Sequence, residues 1–275
     1  MKALITGDKG FIGHALRQNL EKSGWKVVGL RDGETRIDVR DEEGVTKVVS
    51  ESRPDVLFHL GGVSGPMLLL DELGAIVDIN CRGTLNILRS AILAGVPRII
   101  YGASVASYAA AEGGEPVADS IYGTTKRYGE LLVSYFRRES ESQLTSVRIG
   151  AVYGKGRVTF NPIHEMVRQA KHEGIVKYNS NQAEPIISID DCAAFLAELA
   201  ATDTLEPSYD AVTELLTQKE AAGIVARAFG VETCGTEGPE LLYPLGFREL
   251  KDKNIGVHGK PTCLADAVAG IEPLV

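Results

Sequence analysis

Tyr122 and Lys126 stand four residues apart in the run Tyr122-Gly123-Thr124-Thr125-Lys126. On a helix that spacing puts both side chains on one face. A phenol ordinarily ionises near pH ~10, too high for a base at neutral pH. A neighbouring ammonium favours the phenolate and lowers that value. Such a pair can pass a proton to or from a hydroxyl. The same spacing also arises on an ordinary amphipathic surface helix, so the pair needs a context. A second feature near the start of the chain supplies one. Thr6-Gly7-Asp8-Lys9-Gly10-Phe11-Ile12-Gly13 follows a short apolar run and opens a helical pattern. Its glycines permit a tight turn, close approach of a pyrophosphate and close helix–strand packing. The helix start adds N–H groups and partial positive charge. A glycine-rich turn without a ligand is the alternative, and the strand–loop–helix order weighs against it.

The elements that must position these groups alternate in type. Strands are expected at Ala3–Thr6, Lys26–Leu30, Val56–Leu60, Arg98–Ala103 and Leu144–Ile149. Helices are expected at Gly10–Lys22, Asp41–Ser52, Asp78–Ala94 and Tyr122–Glu139. Several of these strands are near-continuous apolar runs, as in sheets buried on both faces. The alternation means βαβ units, and right-handed crossovers then give an α/β fold with a doubly wound parallel sheet. The regularity weakens after about Gly154. Helices near Pro162–Glu173, Asp190–Ala201 and Thr217–Phe229 follow, with short strands near Ile186–Ile189 and Ser208–Val212. The stretch Glu232–Lys260 gives no assignable pattern, and a last short helix is expected at Leu264–Gly270.

Composition narrows the function classes. The 275 residues carry 29 basic and 37 acidic side chains, a net charge of −8. Nucleic-acid phosphates and anionic membranes both select a basic face, so neither partner is expected. Hydrophobic residues at 44% and charged residues at 24% describe a globular protein. No stretch is long and apolar enough to span a bilayer. The N-terminal run Met1–Gly7 reads as a strand and not as a signal peptide. Cys81, Cys192, Cys234 and Cys263 show no paired spacing, which suits a reducing cytoplasm. The five histidines do not cluster with them, so no metal site is expected.

The glycine loop and the Tyr122–Lys126 pair resemble the extended short-chain dehydrogenase/reductase family, also called the NAD-dependent epimerase/dehydratase family. Four further matches carry the resemblance: Asp38-Val39-Arg40-Asp41, His59-Leu60-Gly61-Gly62, Asn80-Cys81-Arg82-Gly83-Thr84-Leu85-Asn86, and Glu130 following the Tyr-Lys pair. The resemblance is clear over about residues 1–200. It implies a dinucleotide-binding Rossmann domain over 1–154, with strand and helix contributions from later residues. Residues 155–275 then form a small substrate-binding lobe interleaved with it. It implies an NAD(P)-dependent enzyme in which Tyr122 moves a proton while hydride moves at the same carbon. Lys126 also bonds the nicotinamide ribose. Ser104 matches the family's serine, which bonds the substrate oxygen and stabilises developing charge; Gly102 and Ala103 depart from the Ser/Thr residues usual before it. A turn cap is the other reading of Ser104, and Ser107 is the fallback. Asn80 is read as structural or as a water holder. The cofactor contacts implied are Gly7, Lys9, Gly10, Phe11, Ile12, Asp38, Val39, Leu60, Gly61, Gly62 and Ile149. Dimerisation through Asp78–Ala94 and Tyr122–Glu139 is a further implication.

Aligned to relatives, Arg31 takes the place of the acid that bonds an NAD ribose. With Lys9 it favours NADP, while Asp32, one residue on, leaves NAD possible. Ala151 and Glu184 stand where nucleotide-sugar relatives place an asparagine and a diphosphate-binding arginine. A carboxylate there repels a diphosphate. No acid follows Ser104, as a 4,6-dehydratase requires. A small polar substrate is therefore expected, such as a sugar or sugar acid, with Ser64, Ser104 and Tyr122 against it. Arg148 is the weaker candidate and reads better as a strand-end polar group. The alternatives are a nucleotide-sugar epimerase or reductase and a dinucleotide sensor without catalysis.

Overall fold

The computed structural model describes residues 1–63, 72–178, 181–235, 240–241 and 261–272. Two compact units are formed, residues 1–148 with 196–209, and residues 149–195 with 210–275.

A six-stranded sheet organises the first unit. Its strands are β1 (Lys2–Thr6), β2 (Lys26–Gly29), β3 (Val56–His59), β4 (Arg98–Ser104), β5 (Gln143–Ile149) and β6 (Ser208–Ala211), in the order β6-β5-β4-β3-β1-β2. The pairings β1–β2, β1–β3 and β3–β4 are parallel. The strand order turns back at β1, because the chain adds β2 on one side and β3 on the other. In such sheets the crevice for a ligand lies at the C-terminal strand ends where the order reverses. The loops after β1 and β3 flank that crevice.

The strands form where the sequence offers apolar runs with no exposed face: every residue of β3 is buried. The helices form on 3.6-residue periodicity. In α1 (Phe11–Lys22) Gly13, Leu16 and Leu20 share the buried face. In α2 (Glu42–Ser52) that face is Val45, Val48 and Val49, and the Asp41 side chain caps the start by accepting from the Gly44 N–H at 3.0 Å. The expected helix Asp78–Ala94 is interrupted. A short helix, Leu73–Val77, runs into a π-turn, Asp78–Arg82, and only then into α3 (Gly83–Leu93). The wide turn buries Asn80. Ser120 caps α4 (Ile121–Glu139), whose buried face holds Gly123, Thr125, Lys126, Gly129, Glu130 and Val133. Two ionisable groups on an inward face are costly unless they have work there. The second strand ends one residue earlier than expected, and Arg31–Asp32 instead pairs with Thr35–Arg36 as a small hairpin.

In the second unit Ala151–Tyr153, Asn181–Ser188 and Glu214–Thr217 share a sheet, and Ile175–Tyr178 pairs with Glu232–Gly235. Among the described residues α5 (Pro162–His172), α6 (Ile189–Ala201), α7 (Gln218–Phe229) and a short helix, Leu264–Ala267, belong to it or enter it. Asn161 caps α5 through the Ile163 and His164 N–H groups. A reciprocal Thr217–Glu220 box opens α7, and Gly230 closes it at φ 67°. Tyr153, Met166, Val176, Ile186, Val225 and Leu264 fill the core between these elements.

Candidate active site

The glycine loop packs against the loop after β3 with no room for side chains. A Cβ on Gly7 would lie 2.9 Å from the Gly61 backbone, and one on Gly13 would lie 2.2 Å from the Gly7 carbonyl. Gly7 takes φ 74° and Gly62 φ 152°, conformations that favour glycine. Gly10 is the N-cap of α1, with no side chain capping the helix and no acid in its first turn. Those first N–H groups and the bare glycine backbone fit an anionic phosphate group. Phe11 and Ile12 are half-buried in the first turn, and Lys9 is exposed.

Beneath this cradle lies a chain of hydrogen bonds. Gly61 N–H donates to Thr6 Oγ1 at 2.9 Å, Thr6 Oγ1 meets His59 Nδ1 at 2.8 Å, and His59 Nε2 meets Thr84 Oγ1 at 3.0 Å. Thr6 Oγ1 accepts from Gly61, and in a neutral His59 one ring nitrogen donates and the other accepts within this chain. Burial, with the Lys126 charge second, pushes the His59 imidazole down to about 3. His59 is therefore neutral at any physiological pH.

Lys126 is buried, and its ammonium donates to the Gly102 carbonyl at 2.8 Å. It stands 5.2 Å from the Tyr101 ring centre and 5.9 Å from that of Tyr122. Burial pushes its ammonium down to about 8. Tyr122 is half-buried on the same face of α4. Ser104 ends β4 two residues beyond Gly102; its Oγ accepts from the Ala106 N–H at 3.2 Å, and it is 8% exposed. The turn-cap contact is thus present, two residues beyond the carbonyl that holds Lys126. Ser107 is buried and donates to the Gly123 carbonyl at 3.2 Å, which ties it to α4.

Asn80 clasps Val63. Its Oδ1 accepts from the Val63 N–H at 2.8 Å, and its Nδ2 donates to the Val63 carbonyl and to Thr125 Oγ1. These contacts give Asn80 a structural part, from within the π-turn. Arg148 bonds Glu130 at 2.8 Å and lies 4.7 Å from the Tyr108 ring centre, near the end of β5. Arg127 lies over the same ring at 4.7 Å, and the Tyr108 hydroxyl donates to Glu130 at 3.0 Å. This arrangement fixes the loop after Ser104. Burial pushes the Glu130 carboxyl up.

Asp38 is exposed and bonds Arg40, whose guanidinium holds the carboxyl below its ordinary range. Asn86 donates to the Val39 and Arg40 carbonyls at 3.0 and 3.2 Å, anchoring this loop. Leu60 is half-buried in the loop after β3, and Ile149 is buried at the end of β5. Ser64 lies outside the described residues. Arg31, expected to face a 2′-phosphate, instead gives an N–H to the Asp8 carboxylate at 3.0 Å. Asp32 pairs with Lys47 at 2.5 Å. In the second unit Ala151 and Glu184 line one small apolar cleft with Met166, Leu216 and Gln218. Among the described residues no group of His, Cys, Asp and Glu could hold a metal ion, and no helix is long and apolar enough to cross a membrane.

Fold and site define a Rossmann-type α/β protein with a bare glycine loop at the switch point of its sheet and a buried lysine beside a tyrosine. The model of the NAD dependent epimerase/dehydratase family matches residues 3–211, and the chain belongs to that family. It is 25% identical over 179 residues to a UDP-glucose 4-epimerase of Mycolicibacterium smegmatis, covering 56% of this chain and 57% of that enzyme. It is 27% identical over 170 residues to a uronate dehydrogenase of Pseudomonas syringae, covering 55% of this chain and 60% of that enzyme. The chain thus spans little more than half the length of these relatives. The structure of a Thermus thermophilus UDP-glucose 4-epimerase in complex with NAD superposes with a TM-score of 0.78 at 22% identity, over 98% of this chain and 97% of that one.

The buried ammonium leaves a mark on stability. Unfolded, Lys126 holds its proton up to 10.5; folded, it releases it near 8. Between those values the unfolded chain binds more protons, so raising the pH through that window stabilises the fold. Urea unfolding of the wild type and of Lys126→Met at pH 8 and pH 10 should show the wild type gaining roughly 2 kcal/mol more, at 1.36 kcal/mol per unit. Parallel pH dependence in the two proteins contradicts the burial of a titrating amine.

Proposed function

We propose that the protein is an NAD(P)-dependent oxidoreductase acting on a hydroxyl or carbonyl of a small polar substrate, such as a sugar or sugar acid. The observation that carries the reading is Lys126, buried, held by the Gly102 carbonyl, with its ammonium 5.9 Å from the Tyr122 ring centre. An ammonium so placed favours the phenolate of Tyr122. The nicotinamide ring, when bound, supplies the hydride chemistry. Tyr122 takes the proton of a substrate hydroxyl, or returns one to a carbonyl oxygen. Ser104 donates a hydrogen bond to the same substrate oxygen, and Lys126 keeps the phenol acidic and reaches the ribose. The glycine loop, Leu60, Gly61 and Gly62 hold the phosphates, and the Asp38–Val39 loop holds the adenine. The family description names NAD. Lys9 and Arg31 are the cations that speak for NADP, and Asp8 stands against them.

Glu184 and Ala151 support a substrate without a nucleotide, because they meet at one cleft where relatives need a cation and an amide. The second reading, a nucleotide-sugar epimerase or reductase, draws its support from the UDP-glucose 4-epimerase relative. A homodimer is proposed through α4, which exposes an apolar stripe at helical spacing: Tyr128 at 37%, Leu131 at 65% and Tyr135 at 50%.

Three measurements test this reading. Tyr122→Phe removes one oxygen and should keep the fold and dinucleotide affinity while turnover falls about 10²–10⁴-fold. Ser104→Ala should cost about 10²–10³-fold. Near-normal turnover of Tyr122→Phe on a true substrate overturns the catalytic assignment. A thermal-shift screen with UDP-, GDP- and dTDP-sugars should show no shift beyond that of the bare nucleotide, and a concentration-dependent shift with any of them favours the second reading. Light scattering should find a wild-type dimer that Leu131→Glu converts to monomer; a monomeric wild type removes the dimer.

A further inference from the structure

Asp8 occupies a position in the glycine loop that the glycine pattern leaves unspecified, yet it is 7% exposed. Its carboxylate reaches across to the C-terminal end of β2. There it lies so close that a Cβ on Gly29 would come within 2.7 Å of its oxygen. One oxygen takes an N–H of Arg31 at 3.0 Å, and the other takes one of Arg17 at 2.8 Å. Arg17 is held in turn by the Val27 carbonyl at 3.2 Å and by Glu21 at 3.1 Å. The end of β2 is the place from which a side chain meets the adenosine ribose. In this chain the acid at that place comes from the glycine loop, and the arginine there is already engaged by it.

We infer that Asp8 is the residue that sets the choice of dinucleotide, holding Arg31 in an ion pair so that the site accepts a ribose 2′-hydroxyl and disfavours a 2′-phosphate. The inference rests on the proposed dinucleotide site. Its chemistry follows from lone pairs and charge. A carboxylate has about four acceptor positions, and two are taken by the arginines. The remainder can accept from a 2′-hydroxyl. A 2′-phosphate meets a carboxylate of its own sign and gains Arg31 only if that guanidinium leaves Asp8. Losing a charged hydrogen bond from a nearly buried oxygen opposes that exchange. NAD is therefore the favoured form, in place of the NADP that Arg31 and Lys9 suggest when read along the sequence. Asp8 acts partly through Arg31, so it is a positioning residue as well as a direct acceptor.

Calorimetric titration of the wild type, Asp8→Asn, Arg31→Gln and the double variant with NAD and with NADP tests this, with circular dichroism confirming each fold. Asp8→Asn keeps the side chain's shape and leaves Arg31 without its anion. It should raise the ratio of NADP to NAD affinity at least tenfold. Adding Arg31→Gln should cancel most of that gain. Arg31→Gln alone should change NADP affinity less than threefold, because Arg31 is held by Asp8 in the wild type. An unchanged or lowered ratio in Asp8→Asn overturns the inference. If Asp8→Asn does not fold, a tenfold loss of NADP affinity in Arg31→Gln overturns it, and a change below threefold supports it. If the folded wild type binds neither dinucleotide, the proposed cofactor site fails, and this inference fails with it; the wild-type titrations separate that result from failure of the Asp8 assignment alone.

Discussion

A neutral imidazole shut away from water holds the floor of the site. His59 bridges Thr6, at the end of β1, to Thr84, at the start of α3. Thr6 in turn accepts from the Gly61 backbone. A protonated His59 would carry two N–H donors, and Thr6 would face two donors with no acceptor for its own proton. Burial and the Lys126 charge together keep the ring neutral. The consequence lies above it: the ends of β1 and β3 are tied, so the backbones of Gly7 and Gly61 come within a distance that no Cβ could share. The bare cradle depends on this chain as much as on the glycines.

Lys126 and Tyr122 are set near the same floor, and Lys126 at a cost. Lys126 loses water, and its carbonyl lies 3.4 Å from the Tyr101 hydroxyl. Burial pushes the Tyr101 phenol upward as well, so it stays neutral. Lys126 stands 5.9 Å from the Tyr122 ring centre, and its proton affinity, though lowered, still keeps the ammonium intact at neutral pH. Glu130, one turn further along α4, is satisfied on one oxygen by Tyr108 and Arg148, while its Oε1 has no hydrogen-bond partner among the described residues. Such a cluster is weak evidence for stability. Its effect here is positional: it holds Tyr108, and through it the turn that begins at Ser104.

Much of this was legible in the residues. The strands around the switch point are short apolar runs, two of them almost wholly buried, so their positions came out within a residue or two. Tyr122 and Lys126 share one helix, as their spacing implies, and Lys126 lies on its buried face. The missed pieces share a physical cause. Glu232–Gly235 is exposed on all four residues, and Ile175–Tyr178 alternates over only four, so neither leaves a hydrophobic signature. The π-turn at Asp78–Arg82 reflects the grip of Asn80 on Val63 and Thr125, contacts from distant parts of the chain. Asp8 sits at a position that glycine counting ignores, and only the folded loop brings Arg17 and Arg31 to it. Reading Arg31 by position alone therefore misses the carboxylate that engages it.

The central claim is that the cradle over His59 receives the phosphates of a dinucleotide while Lys126 and Tyr122 stand at its other end. Amide hydrogen exchange with and without saturating dinucleotide tests it most directly. The amides of residues 7–13 and 61–63 should become protected together on binding, with α4 near Tyr122 and Lys126 following. Binding that leaves the glycine loop as exchangeable as before, or that protects only the second unit, contradicts the account.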